Sequence, residues 1–146
     1  MLLSPKEAIQ KLLLEAPAIS AIVGAKLYPG IAPQGVNFPY GLYSRLSDGN
    51  DKHMGGSSGL KRARVQVEWF GLEATVVEDL AAAMEEVLED YEGPVEIGDR
   101  SLHFDLVSKE EDEDEDNLVV PEGGKDAPAH TRRQVYEAWY READED

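Results

Sequence analysis

Polar and apolar residues alternate most regularly in the segment from Arg62 to Trp69. Every second residue is apolar and the residues between are polar or charged, which predicts a β-strand with one buried face. A less regular pattern of the same kind predicts a strand over 40–46. The two strands flank Asp48–Gly59, which contains four glycines and two serines. We therefore predict a hairpin with an unusually long tip.

Two longer segments place apolar residues at helical spacing. The first is predicted to begin at Ser4, which can cap a helix, followed by Pro5, which suits the first helical position. This helix should end at Pro17. The second is predicted to begin at Thr75 and to end at Gly93, where a glycine and a proline terminate the pattern.

Shorter patterns complete the predicted secondary structure: one more helical turn over 19–23, and strands over 95–97, 102–106 and 133–141. Their order predicts a single α+β domain over residues 1–146. In this fold an antiparallel sheet of about four to five strands is packed by two helices and carries a long hairpin loop. The last strand has large aromatic residues on both faces, which favours a neighbouring subunit against one of them.

The charge of the chain is concentrated in two short segments. The 146 residues include 30 Asp and Glu against 14 Lys and Arg, a formal charge of −16. Seven consecutive carboxylates occupy Glu110–Asp116, and four more lie in the acidic tail 142–146; without these eleven acids the charge is −5. Runs of like charge repel and stay solvated, so we predict a flexible acidic loop over 109–130. Such a charge disfavours proteins that grip DNA phosphates or anionic membranes.

Motifs for catalysis or for cofactor binding are missing from the sequence. The chain has no cysteine, and Gly55–Lys61 fails the spacing of a phosphate-binding loop. An EF-hand spacing that opens at Asp112 fails at its glycine and glutamate positions. His53, His103 and His130 lack metal-ligand spacing. We predict a protein that is not an enzyme and needs no cofactor, and, without a recognisable signal peptide, a cytoplasmic one.

Two passages carry a resemblance to a known family. The run LYPGIAPQG at 27–35, followed by FPYGLY at 38–43, resembles the corresponding passage of bacteriophage tail completion proteins. The glycine-serine stretch 55–59 and the strand after it are also similar. The resemblance covers roughly residues 5–107 and fits the last strand at 132–141. The acidic run is a departure from the family pattern.

The resemblance implies a structural role in a virion. Such proteins are similar to the tail terminators of long-tailed phages and also occur in prophages and gene transfer agents. They form a homohexameric ring at the head-proximal end of the tail tube, in the neck. The implied partners are other copies of the chain, the tail tube protein and the head-completion or connector protein. DNA would pass through the lumen without tight binding, and assembly would take place in the host cytoplasm.

The hairpin tip 48–60 and its flanking strands are the regions that the resemblance implies as subunit or tail-tube interfaces. No catalytic or metal-binding residue is carried over. The candidate interface residues are Asn50, Lys52, His53, Arg62, Arg64, Tyr136 and Tyr140.

Two other classes of function remain open from the residues. One is a small-ligand-binding protein or enzyme subunit that holds a divalent ion on the acidic loop. The other is an acidic DNA mimic, which the charge of −16 suggests. A mimic should spread its acids along one rigid face, whereas here the densest run falls in a segment rich in glycine and proline. This difference disfavours mimicry.

Overall fold

The computed structural model describes residues 2–46 and 60–142, which form three helices and six strands. The helices are α1 (Pro5–Leu14), α2 (Pro17–Val23) and α3 (Ala74–Leu88). The strands are β1 (Leu27–Pro29), β2 (Tyr40–Arg45), β3 (Lys61–Gly71), β4 (Gly93–Ile97), β5 (Arg100–Glu122) and β6 (Lys125–Arg141). The predicted α+β class is confirmed, with more strands and one more helix than expected.

All six strands form one sheet in the order β1-β2-β3-β6-β5-β4. Only β1 and β2 are parallel, and every other neighbouring pair is antiparallel. The pairing of β2 with β3 confirms the predicted hairpin, whose glycine-rich tip 48–59 lies outside the described residues. Residues 143–146 of the acidic tail also lie outside them.

The ends of the helices follow local sequence signals. Pro5 and Pro17 occupy the first turns of α1 and α2, where the missing amide hydrogen costs nothing. Gly24 follows α2 with a positive φ of 65°, a backbone conformation that favours glycine at the end of a helix. Ser4 is the residue before α1, but its side chain makes no capping hydrogen bond. Helix α3 likewise begins after Glu73 without a side-chain cap.

The main core lies between the helices and one face of the sheet. Fully buried side chains of α1 and α3, including Leu13, Leu80 and Met84, pack against alternate residues of β3. Trp69 is completely buried in this layer. The strand buries every second residue, so the period of two in the sequence separates the side chains that face the core from those on the other face of the sheet.

A second, smaller cluster holds the far end of the β5–β6 hairpin. Tyr40 stacks on Phe70, with ring centroids 5.0 Å apart, and both belong to one buried cluster with Val120 and Ala129. The Tyr40 hydroxyl donates a hydrogen bond to the Pro121 carbonyl oxygen at 2.9 Å. We call this group the tip cluster. The tip cluster packs the end of the β5–β6 hairpin against the passage rich in proline and glycine before β2.

The structure corrects the expectation of an acidic loop over 109–130. Strand β5 continues through the acidic run to Glu122, the chain reverses at Gly123 and Gly124, and β6 begins at Lys125. Both glycines have positive φ values, 62° and 90°, as a tight reversal requires. The acids remain in a strand because arginine side chains of β3 and β6 pair with them, as described below.

Candidate assembly surface

The side chains of β3 divide between two faces of the sheet. Alternate residues are buried against the helices, whereas Arg62 and Arg64 lie on the opposite side, which we call the helix-free face. The register with β6 places Trp139 beside Arg62 and Glu137 beside Arg64. Two of the predicted interface residues therefore lie on a sheet surface that none of α1, α2 and α3 covers.

Arg62 is fixed by an aromatic ring and a carboxylate. Its guanidinium carbon lies 5.5 Å from the centroid of the Trp139 ring, a cation–π arrangement. Its Nη1 donates to Glu137 Oε2 at 2.8 Å. These contacts orient the arginine on the surface and leave about 29% of its side chain exposed.

Arg64 joins β3 to the start of the acidic run. Its Nε donates to Glu110 Oε1 at 2.7 Å and its Nη2 to Glu111 Oε2 at 3.2 Å. The hydrogen bond that Arg64 donates to Glu110 is the main reason that the pKa of Arg64 is raised. All three side chains keep contact with solvent, so these pairs order the surface more than they stabilise the fold.

The two tyrosines among the predicted interface residues belong to the core. Tyr136 is completely buried and Tyr140 is 3% exposed. The Tyr136 hydroxyl donates to Gln134 Oε1 at 2.8 Å, and Arg45 donates to the Tyr140 hydroxyl at 3.1 Å. Burial raises the pKa of Tyr136 strongly. The expectation that both rings form an interface is wrong, because they leave almost no surface for a partner.

Asp112 is the most fully bonded carboxylate of the acidic run. It accepts two hydrogen bonds from Arg132, at 2.6 and 3.0 Å, and one each from Lys109 and Gln134 at 3.1 Å. The bonds from Arg132 are the main reason that its pKa falls to about 2. Lys109 also reaches Glu85 of α3 at 3.0 Å. This network ties β5, β6 and a helix together.

A polar cavity of about 400 Å³ opens on the helix-free face. Arg133 lies among its carboxylates, paired with Glu113 and donating to Gln66 at 3.2 Å. Glu68 lines the same cavity, and burial raises its pKa, with a smaller contribution from Glu115. The cavity therefore holds more acid than base and suits a basic group.

The histidines of the described region form pairs and not metal clusters. His103 lies 3.2 Å from Asp105, and His130 contacts Asp116. His130 belongs to β6, whereas the sequence predicted that it lies in a loop. Within residues 2–46 and 60–142, no group of three or more histidine or acidic side chains is arranged to hold a metal ion. No helix in these ranges is long and apolar enough to cross a membrane.

The structure describes four of the seven predicted interface residues. Asn50, Lys52 and His53 lie outside the described residues, so they stay predictions. Neither Trp139 nor Glu137 was among the predicted residues, although their register with β3 makes them part of the same surface. Their signal in the sequence is the alternation within β6, which assigns both to the face opposite Tyr136.

A comparison of the sequence with known families decides the identity of the chain. A family model described as tail completion protein gp17 matches residues 7–120, from α1 through most of β5. The chain belongs to this tail completion family. The resemblance carried by the passage before β2 is thus confirmed, and the family is one of structural phage proteins.

A solved structure shares the fold of this chain over nearly its full length. A solved structure entitled "Virion of native gene transfer agent (GTA) particle" contains a chain that aligns with a TM-score of 0.64 at 13% identity. The alignment covers 94% of this chain and 95% of that chain. At this level of identity the likeness shows a shared fold. No curated protein matches the sequence.

The structure changes the argument about DNA mimicry. The acidic run lies on a strand, so the expectation that it sits in a glycine-rich loop no longer disfavours a mimic. Its acids instead divide between the faces of the sheet and pair with Arg64, Arg132 and Arg133. A DNA mimic needs unpaired charges along one face, and this pairing opposes it.

Proposed function

We propose that this protein forms a ring of six copies that caps the head-proximal end of a tail tube and joins it to the head connector. The observation that carries the proposal is the match of residues 7–120 to the tail completion family. A structural member of this family that completes a tail must contact the tube on one side and a head component on the other. The tail tube protein and the connector are accordingly the proposed partners.

The shared fold supports a place in a virion. The likeness extends over nearly the full length of both chains, and the other chain belongs to a gene transfer agent particle. We place this protein in the tail or neck of a comparable particle, with its assembly in the host cytoplasm. Phage tails and gene transfer agent tails both need a stop at the end of the tube.

The helix-free face has the chemistry of a surface that assembles from folded subunits. Arg62 and Arg64 are held by ion pairs with Glu137 and with Glu110 and Glu111, and both are partly exposed. Protein interfaces that form after folding are polar, wet and enriched in arginine and aromatic residues. Arg62, Arg64 and Trp139 are therefore the described residues that we assign to subunit or tail-tube contacts, together with Asn50, Lys52 and His53 of the tip.

The negative charge of the protein suits a ring through which DNA passes. Six copies of −16 carry −96, so DNA in the lumen meets a wall of like sign. The screening length at physiological salt is ~8 Å, so only acids close to the lumen act on the passing strand. DNA would slide through such a ring without binding tightly.

Deletion of the gene tests the capping function. Particles without the protein should have tails of uncontrolled length and heads without tails. Electron cryo-microscopy of tubes incubated with the protein should show six-fold density at one end. Tails of normal length in the deletion, or tubes without six-fold density at either end, would overturn the proposal.

A pair of matched variants tests the surface. Arg64→Ala should reduce the fraction of capped tubes, because it removes the arginine that orders the helix-free face. Arg100→Ala is the control, since Arg100 pairs with Glu7 of α1 at 2.9 Å, on another part of the molecule. Both exposed pairs contribute at most ~1 kcal/mol, so both variants should fold. Equal capping by the two variants would exclude Arg64 from the interface.

A further inference from the structure

Strand β5 is an open edge of the sheet over most of its length. Its neighbour on one side is β6, and β4 covers the other side only over 100–104. Within residues 2–46 and 60–142, no strand lies outside β5 from Asp105 to Glu122. The edge of a sheet presents backbone N–H and C=O groups that can pair with a strand of another chain. We call the part of this edge over Glu110–Asp116 the acidic edge.

The chain itself covers the edge just before the acidic run. The Asp90 amide donates to the Val107 carbonyl oxygen at 2.8 Å, and the Lys109 amide donates to Glu89 Oε1 at 2.6 Å. Both partners belong to the turn after α3. Val107 and Lys109 therefore direct these backbone groups away from β6.

The same alternation turns two residues of the acidic edge outward. Four even-numbered residues of β6 lie opposite β5 in register: Ala138 opposite Val107, Tyr136 opposite Lys109, Gln134 opposite Asp112 and Arg132 opposite Asp114. In an antiparallel pair, every second residue turns its backbone groups away from the partner strand. The N–H and C=O groups of Asp112 and Asp114 therefore face outward, and no backbone group in the described ranges bonds to them from that side.

The two outermost strands of the sheet offer poorer edges. Strand β1 has three residues and ends at Pro29, and β4 has five residues and contains Pro94. Proline has no amide hydrogen, so it cannot donate to an added strand. The open part of β5 is longer and contains no proline before Pro121. It is therefore the edge that suits an added strand best.

The charge of the acidic edge selects the partner. Its seven carboxylates form ion pairs with four bases: Arg64, Lys109, Arg132 and Arg133. Negative charge remains in excess, and three of these acids also line the polar cavity on the helix-free face: Glu113, Asp114 and Glu115. Opposite charges on neighbouring strands stabilise their pairing, whereas like charges oppose it. An added strand should therefore carry lysine or arginine at alternate positions.

We infer that the acidic edge binds an extended, basic segment of a partner protein, which adds a seventh strand to the sheet. Backbone hydrogen bonds to Asp112 and Asp114 supply affinity, and the bases supply specificity. Residues directly opposite one another share a face of the sheet, so bases opposite Glu113 and Glu115 lie beside the polar cavity. The inference concerns one edge of the sheet and holds whether or not copies of the protein form a ring.

A set of three peptides tests the added strand on the natural chain. The probe is acetyl-Thr-Lys-Val-Lys-Val-Lys-Thr-amide. In one control peptide proline replaces both valines, which keeps the charge and removes two amide hydrogens, and in the other glutamate replaces the lysines. By fluorescence anisotropy at physiological salt, we expect the probe to bind at least ten times more tightly than either control. Hydrogen exchange at the amides of Asp112 and Asp114 should slow when it binds.

Two results with the peptides would overturn the inference. Equal binding of the valine and proline peptides would show attraction between charges without strand pairing. No binding of the probe would show that the acids only keep other strands away from this edge.

A matched pair of variants locates the added strand. Asp114→Asn keeps the outward amide and removes the charge, whereas Asp114→Pro removes both. Because this amide faces away from β6, the proline costs no hydrogen bond within the sheet. Asp114→Pro should bind the probe at least ten times more weakly than Asp114→Asn, and equal binding would place the peptide elsewhere and overturn the inference. If Asp114→Pro does not fold, the three peptides on the natural chain decide.

Discussion

The ring of Trp69 lies directly over Gly41, its partner in register on β2. A Cβ atom at Gly41 would come within 2.6 Å of Cε3 and Cζ3 of Trp69, closer than carbon atoms can approach. The glycine of the FPYGLY passage is therefore required by the packing of a fully buried indole. The glycine of this short family motif is thus explained by a contact between β2 and β3.

Gly41→Ala should destabilise the protein by ~1–3 kcal/mol, because the added methyl group overpacks the core. Urea denaturation measures this change. In a Trp69→Phe background the same substitution should cost less, since the smaller ring leaves room. Equal costs in both backgrounds would show that the clash with Trp69 is not the cause.

Tyr40→Phe should loosen the β5–β6 hairpin locally. The substitution removes the hydrogen bond from the hydroxyl to the Pro121 carbonyl and should cost ~0.5–1.5 kcal/mol. Amide hydrogen exchange over 118–129 should accelerate while the core around Trp69 is unchanged. Tyr91→Phe is the matched control, because its hydroxyl makes only a 3.4 Å contact with Pro94 at the surface. Uniform acceleration across the sheet would argue against a local role.

Asp112→Asn should lower stability at neutral pH by ~1–3 kcal/mol, since it removes the charge that Arg132 and Lys109 bind. The folded state lowers the pKa of Asp112 to about 2, against ~3.9 in an unfolded chain. The stability that the carboxylate contributes is therefore complete above pH ~3.9 and is lost as the pH falls towards 2. Denaturation series from pH 7 to 3 should show the two proteins converging. A constant difference would rule out ionisation as the cause, and Asp114→Asn serves as the neighbouring control.

Glu68→Gln should raise stability at neutral pH. Burial raises the pKa of Glu68, Arg133 opposes this shift and Glu115 adds to it. A carboxyl with a raised folded-state pKa favours folding when protonated, and this contribution is lost as the pH rises through that value. The variant should therefore melt above the wild type at pH 7, and the difference should shrink towards pH ~4.3, the ordinary value for glutamate. A lower melting temperature at pH 7 would contradict this, and the exposed Glu96→Gln provides the control.

Binding to DNA should be weak despite the proposed passage of DNA through the ring. The charge of −16 leaves little phosphate attraction, so we expect a dissociation constant above ~10⁻⁶ M at physiological salt. Fluorescence anisotropy with a short duplex measures it, for both the free protein and capped tubes. Tighter binding would overturn the electrostatic argument.

The elements that have local signals could be predicted from the order of the amino acids. The period of two from Arg62 to Trp69 defined β3 and its buried face. Pro5, Pro17 and Gly24 set the bounds of the first two helices through backbone geometry alone. The passage at 27–43, rich in proline and glycine, showed the resemblance to the tail completion family. The order in which these residues restrict the backbone is recognisable in the sequence.

The conformation of the acidic run and the buried face of the last strand depend on contacts between distant parts of the chain. In the sequence alone, the seven carboxylates of Glu110–Asp116 repel one another, which favours a solvated loop. The bases that hold it in a strand, Arg64 and Arg132, lie 46 and 20 residues away from their partners and reach them only across the sheet. Tyr136 and Tyr140 were misassigned for a related reason. A strand in the middle of a sheet shows aromatic residues on both faces, and only the packing of the helices decides which face is core.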